Sequence, residues 1–171
     1  MSIEKKYIKE NLIKWLKNAR KIIIMGVGNP LRGDDVVGLK IAKKLEKYSS
    51  KYLKIIISET VPENFIGQIR KFKPSHLIII DAVDFKGNPG DIRLILPEEL
   101  SKAGIISTHT LPLSLLSKFL YESMGIKTII IGIQPKSIDF GSNISPIVEK
   151  TIIKATKIII NVLVNLNFIN F

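Results

Sequence analysis

The chain has 171 residues, of which 26 are Lys or Arg and 15 are Asp or Glu, so its formal net charge is +11. A chain of this length predicts a single domain, with enough buried apolar surface to fold without disulfides. There is no cysteine, which excludes a disulfide framework, a thiolate nucleophile and a cysteine-ligated metal site. Any metal site must therefore use carboxylate, imidazole, amide or water ligands.

The apolar residues occur in short blocks. The mean hydropathy is +0.22, but runs such as 77–80 are far shorter than the roughly 20 apolar residues that span a membrane. The N-terminus is charged and lacks the apolar stretch of a signal peptide. We therefore expect a cytoplasmic protein without a membrane span.

Nearly half of the net positive charge lies in residues 1–21, which hold seven basic and two acidic residues. Ile8, Leu12, Trp15 or Leu16, and Ala19 recur at helical spacing there, which predicts an amphipathic helix whose lysines face water. We define residues 1–20 as a basic N-terminal helical extension. A surface for a partner or a phosphate group remains an alternative. Nucleic acid is not expected as a partner, because stacking aromatics and arginine-rich runs are missing.

Beyond residue 20, apolar strands alternate with amphipathic helices. The predicted strands are 21–27, 54–58, 77–80, 91–96 and 128–133, and the predicted helices are 35–47, 63–72, 97–100, 111–123 and one that opens at Ser145-Pro146. The third strand is apolar on both faces, as in the middle of a covered sheet. The fourth strand alternates and follows a turn cluster at 87–90, which predicts an antiparallel edge. The pattern predicts a three-layer α/β/α sandwich with a mostly parallel five-stranded sheet.

Three polar residues lie at the ends of these predicted elements, at the edge of the sheet where a ligand would bind. In open α/β sheets, ligands bind beyond the carboxyl ends of the strands. Asp35 follows the first strand, Asp81 follows the third, and His109 precedes the long helix. Two carboxylates and one imidazole with open positions suit a borderline divalent metal.

Each of these residues also has a simpler interpretation. In this interpretation, Asp34 caps the helix that follows the first strand and Asp35 interacts favourably with the dipole of that helix. Asp81 has a structural role, and His109 is a residue at the start of a helix and not a metal ligand. The other histidine, His76, is expected on the surface at the opposite end of the sheet.

A nucleotide site is a weaker alternative. Gly26-Val27-Gly28 begins like a dinucleotide-binding fingerprint, but the third glycine would fall at Leu31. Asp34 and Asp35 would also repel a pyrophosphate at this helix start. The motifs of P-loop proteins, serine hydrolases and zinc peptidases are missing. We therefore expect no nucleotide cofactor.

Six ordered segments resemble one known family. They are Gly-Val-Gly-Asn-Pro-Leu-Arg-Gly-Asp-Asp (26–35), Val-Pro-Glu-Asn (61–64), Leu-Ile-Ile-Ile-Asp-Ala-Val-Asp (77–84), Asn-Pro-Gly-Asp-Ile-Arg (88–93), Ser-Thr-His-Thr-Leu-Pro-Leu (107–113) and Gly-Ile-Gln-Pro (132–135). The chain resembles the hydrogenase maturation endopeptidases, in particular the branch that processes hydrogenase 3, of the formate-hydrogenlyase type. The resemblance implies a phosphorylase/hydrolase-like sandwich and a single protease domain over residues 21–171.

The activity that the resemblance implies is removal of a C-terminal propeptide from a [NiFe]-hydrogenase large-subunit precursor after nickel insertion. Asp35, Asp81 and His109 would bind nickel, which is that of the precursor, and Asp35 and Asp81 would be catalytic, by an aspartic-type or a metal-assisted mechanism. Residues of the first loop would position the site, namely Gly28, Asn29 and Asp34. A non-catalytic chaperone that recognises nickel through the same three residues is the alternative.

Overall fold

A computed structural model describes residues 3–100 and 104–170. Residues 1 and 2 of the predicted extension, and 101–103 and 171 of the predicted protease domain, lie outside the described residues. The strands are β1 (Ile22–Val27), β2 (Leu53–Glu59), β3 (His76–Ala82), β4 (Ile92–Ile95) and β5 (Lys127–Ile133). The helices are α1 (Ile3–Leu16), α2 (Val37–Leu45), α3 (Ile66–Phe72), α4 (Thr110–Met124) and α5 (Pro146–Asn165).

The strands form one five-stranded sheet in the order β2-β1-β3-β5-β4. The first four in this order are parallel, and β4 pairs antiparallel with β5. The predicted architecture and its antiparallel edge strand are therefore confirmed. β4 follows β3 in the chain, but its hydrogen-bonded neighbour is β5. β5 comes later in the sequence and lies between β3 and β4 in the sheet.

Alternating side chains of the buried strands face two separate helical layers. In β3, Ile78 and Ile80 pack in one cluster with residues of α1, α2 and α5. Leu77 and Ile79 pack in a second cluster with residues of α3 and α4. Every residue of β3 is buried, as expected for a central strand covered on both faces.

The basic N-terminal segment forms helix α1, and its apolar face is part of the core. Ile8, Leu12 and Leu16 are buried in the same cluster as α5, while Lys6 and Lys14 are exposed and Lys9 is half-buried. The predicted amphipathic helix is therefore present. That residues 1–20 form an extension separable from the rest stays a prediction.

Two predicted helices begin as 3₁₀ turns. Gly33–Val36 precedes α2, and Pro62–Phe65 precedes α3. Helix α2 then approaches the sheet closely at Gly38, where a Cβ would overlap the backbone oxygens of Val27 and Ile80. This contact places the 3₁₀ turn directly over the carboxyl ends of β1 and β3.

The expectation for His76 is wrong. It lies at the end of the sheet opposite Asp81, as predicted, but it is buried, with 4% of its surface exposed. Its Nδ1 lies 2.9 Å from the Ser75 hydroxyl, and its ring meets Trp15 edge to face at 4.8 Å between centroids. Trp15 of α1 covers His76 at the amino end of the sheet, a tertiary contact that the local sequence pattern does not indicate. None of the described helices has the length and apolar character needed to cross a membrane.

Candidate active site

Asp35, Asp81 and His109 lie together at the carboxyl edge of the sheet, and all three are buried. Asp35 belongs to the 3₁₀ turn after β1, Asp81 is the penultimate residue of β3, and His109 is the N-cap of α4. One potential ligand atom from each residue lies within 4.8 Å of the other two. The structure thus brings together the three residues that the sequence analysis selected.

Asp81 presents one carboxylate oxygen without a partner. The Ser107 hydroxyl donates a hydrogen bond to Oδ2, whereas Oδ1 is buried and has no hydrogen bond among the described residues. Burial raises the pKa of Asp81 to about 7, against the opposing effects of His109 and Ser107. A buried carboxylate with a free oxygen is costly unless a proton or a cation compensates it.

Asp35 is held by two segments that are distant in sequence. The backbone N–H of Asn29 donates to Oδ2 at 3.1 Å, and the Thr108 hydroxyl lies 3.2 Å from Oδ1. Gly28 is required next to it, because a Cβ at this position would overlap the backbone oxygen of Asp35. Gly28 and Asn29 therefore shape the site by fixing Asp35.

His109 faces both carboxylates. Its Nε2 lies 3.6 Å from Oδ2 of Asp35, which is too long for a hydrogen bond, and this nitrogen has no hydrogen-bond partner in the described part of the chain. Burial alone lowers the pKa of His109, but the attraction of Asp35, Asp81 and Glu63 outweighs it, and the net shift is upward.

The three consecutive residues Ser107, Thr108 and His109 contact both aspartates. Ser107 bonds Asp81 and also accepts a hydrogen bond from the backbone N–H of His109, at 2.9 Å. Thr108 bonds Asp35. No role was predicted from the sequence for Ser107 or Thr108. Two hydroxyl residues directly before the candidate ligand histidine are the signal that could have indicated one.

Asp34 does not cap a helix. The 3₁₀ turn after β1 has no side-chain cap, and the carboxylate of Asp34 instead accepts hydrogen bonds from the segment 136–145. Its donors are the backbone N–H groups of Lys136, Ser137 and Ser145, and the Ser145 hydroxyl. Asp34 thus ties the loop after β5 to the loop that carries Asp35. Local sequence cannot show these partners because they are more than 100 residues away.

This arrangement can bind one divalent cation. Carboxylate oxygens and an imidazole nitrogen are suitable ligands for a borderline metal, and the unpartnered Asp81 Oδ1 and His109 Nε2 are the atoms that a cation would satisfy. Three protein ligands leave positions open for groups supplied by a substrate or by water.

Comparison with known proteins identifies one family that matches most of the chain. The sequence model of the HycI family, described as hydrogenase maturation protease, matches residues 39–162. The hydrogenase 3 maturation protease of Escherichia coli is 36% identical over 118 residues, which cover 69% of this chain and 75% of the relative. A protein of Methanocaldococcus jannaschii assigned to the hydrogenase maturation proteases is 39% identical over 89% of this chain and 92% of its own.

The fold is similar as well. The crystal structure of the [NiFe] hydrogenase maturation protease HycI from Thermococcus kodakarensis superposes with a TM-score of 0.82 at 29% identity, over 91% of this chain and 99% of that one. Family match, sequence identity and fold agree with the resemblance found in the six sequence segments. The chain belongs to the hydrogenase maturation protease family, a family of peptidases.

Proposed function

We propose that the protein is a cytoplasmic endopeptidase that removes a C-terminal propeptide from the large-subunit precursor of a [NiFe]-hydrogenase after nickel insertion. One observation carries the proposal: Asp35, Asp81 and His109 converge at the carboxyl edge of the sheet in a chain of this peptidase family. Two relatives from Escherichia coli support a precursor as the substrate, since they are the maturation proteases of hydrogenase 3 and hydrogenase 2.

The three residues bind the nickel ion that the precursor already carries. Asp35, Asp81 and His109 supply two oxygen ligands and one nitrogen ligand, and the precursor supplies the rest of the coordination shell. In the absence of this nickel, burial raises the pKa of Asp81 to about 7, so a substantial fraction of this carboxyl group carries a proton near neutral pH. Recognition of the metal thus separates precursors that are ready for cleavage from those that are not.

Cleavage is hydrolysis of one peptide bond. A water molecule adds to the carbonyl carbon, the C–N bond breaks, and the leaving amine takes up a proton while the new C-terminus becomes a carboxylate. Water is activated either by an aspartate acting as general base or by the metal acting as Lewis acid. In both routes, Ser107 and Thr108 hold the two carboxylates in place.

The test uses a nickel-loaded precursor and three forms of the protein: wild type, Asp35→Asn and Asp81→Asn. We expect the wild type to shorten the precursor by one cut with many turnovers, as followed by mass spectrometry, and both variants to be at least about 100-fold slower. Variants that process the precursor at the normal rate would refute the assignment of these residues.

The same assay separates an enzyme from a chaperone. A chaperone binds the nickel-loaded precursor in a stoichiometric complex and leaves its mass unchanged. Binding without shortening by the wild-type protein would therefore overturn the peptidase proposal in favour of that alternative.

A further inference from the structure

A groove next to the candidate active site has no role in the hydrolysis steps proposed above. It lies between the 3₁₀ turn Pro62–Phe65 and helix α4, with a volume of about 320 Å³. Its walls include Ile66 from α3 and Leu111, Leu115 and Phe119 from α4, with Glu63 as the acidic residue. We name this feature the α4 groove.

The α4 groove has an exposed apolar wall. Leu111, Leu115 and Phe119 occur at successive steps of four residues, so they form one stripe along α4. Their exposed fractions are 68%, 58% and 41%, although large apolar side chains are usually buried. A contiguous apolar stripe of this kind marks a surface on which another molecule binds.

Glu63 adds a negative charge at the end of the α4 groove nearest the site. Its carboxylate makes no hydrogen bond or ion pair among the residues that the structure describes, and its charge raises the pKa of His109. The lining of the α4 groove contains no Lys or Arg, in a chain whose net charge is +11. The region therefore complements a cationic group.

The α4 groove lies beside the candidate active site. Helix α4 begins at Thr110, directly after His109, so Leu111 is two residues from a candidate nickel ligand. A peptide bound at the site extends by about 3.3 Å per residue and reaches the stripe within a few residues. Other exposed apolar residues lie on loops at the same edge of the sheet, namely Leu31, Val61, Ile106 and Phe140.

We propose that the α4 groove binds the precursor segment that flanks the scissile bond, with an apolar side chain on the stripe of Leu111, Leu115 and Phe119 and a neighbouring Lys or Arg paired with Glu63. This inference rests on the proposed function. It makes the α4 groove a specificity subsite: the nickel ligands report that the metal is present, and the groove selects the peptide that is cut.

The first experiment tests the apolar stripe with the nickel-loaded precursor. Leu115→Asp is compared with Ile153→Asp, a matched change at an exposed residue on α5 in the opposite layer. We expect Leu115→Asp to raise KM by about tenfold or more with kcat nearly unchanged, and Ile153→Asp to leave both values close to wild type.

The second experiment tests the charge. Each Lys or Arg within ten residues of the cut is changed to Glu in the precursor, and one of these changes is expected to lower kcat/KM by about tenfold. Glu63→Lys should restore cleavage of that substrate variant and impair cleavage of the unaltered precursor. The control is Glu122→Gln, which removes an exposed carboxylate of α4 that pairs with Lys118 outside the groove.

The outcomes separate the two proposals. If the wild type does not shorten the precursor at all, the proposed function fails. If the wild type cleaves it while Leu115→Asp behaves like Ile153→Asp, and no charge reversal is rescued by Glu63→Lys, the proposed function stands and the α4 groove is not a subsite. A Leu115→Asp effect equal for kcat and KM would also contradict a pure binding role.

Discussion

The two histidines of this chain lie at opposite ends of the same sheet, and both are buried, yet their pKa values move in opposite directions. His76 at the amino end has a pKa lowered to about 4 by burial and by Lys127. His109 at the carboxyl end has a raised pKa because three carboxylates outweigh its burial. Burial alone makes a histidine neutral and structural, whereas burial among carboxylates prepares a site for a cation.

The same contrast holds for hydrogen bonding. At the amino end, His76 is paired with Ser75 and packed on Trp15. At the carboxyl end, Asp81 Oδ1 and His109 Nε2 have no hydrogen-bond partner in the described structure. Buried polar groups are nearly always satisfied in folded proteins, so an unpartnered carboxylate oxygen beside an unpartnered imidazole nitrogen supports our proposal that the site lies at the carboxyl end.

The largest effect expected from this contrast is on catalysis. His109→Ala removes a proposed nickel ligand and should lower kcat/KM for the nickel-loaded precursor by about 100-fold or more. His76→Gln, the matched change at the other end of the sheet, should leave kcat/KM within about threefold of wild type. Equal losses for both variants would show that the two ends are not functionally different.

The second prediction concerns the loop that Asp34 holds. Asp34→Ala removes the acceptor of four hydrogen bonds and should lower the free energy of unfolding by about 2–4 kcal/mol, since all four bonds to a buried carboxylate are lost. Asp139→Ala in the same loop removes an exposed carboxylate and should change it by less than about 1 kcal/mol. Urea unfolding of both variants measures the difference.

The third prediction concerns pH. Between about pH 6.5 and pH 4, the unfolded chain protonates His76 while the folded chain does not, so this residue lowers the free energy of unfolding as the pH falls. The full effect of the shift to a pKa of about 4 is roughly 3 kcal/mol. His76→Gln should lack this loss, so its stability relative to wild type should rise toward pH 4. If the free energies of unfolding of the wild type and His76→Gln fell by the same amount toward pH 4, this prediction would be contradicted.

The smallest expected effect concerns Ser107 as a positioning residue. Ser107→Ala removes the donor to Asp81 and should lower kcat by about tenfold. It should also shift the acidic limb of the pH profile upward, because this hydrogen bond lowers the pKa of Asp81. Ser107→Thr, which keeps a hydroxyl group at this position, should have a kcat and a pH profile close to those of the wild type. Ser117→Ala, at a buried serine of α4 whose hydroxyl has no partner in the described structure, is the control and should alter neither.

Local sequence was sufficient for the elements and for the three convergent residues. Apolar runs such as 77–80 identified a central strand, and the carboxyl ends of parallel strands placed Asp35 and Asp81 at one edge. Local sequence was insufficient where a partner comes from a distant segment. The hydrogen bonds of Asp34 to residues 136–145 and the burial of His76 under α1 depend on tertiary packing, which periodicity does not encode.

The most direct test of the account compares nickel-loaded with nickel-free precursor, each incubated with the wild-type protein and followed by mass spectrometry. We predict that the C-terminal propeptide is released from the nickel-loaded form only, because Asp35, Asp81 and His109 bind the substrate through its nickel. Cleavage of both forms at the same rate would contradict the account.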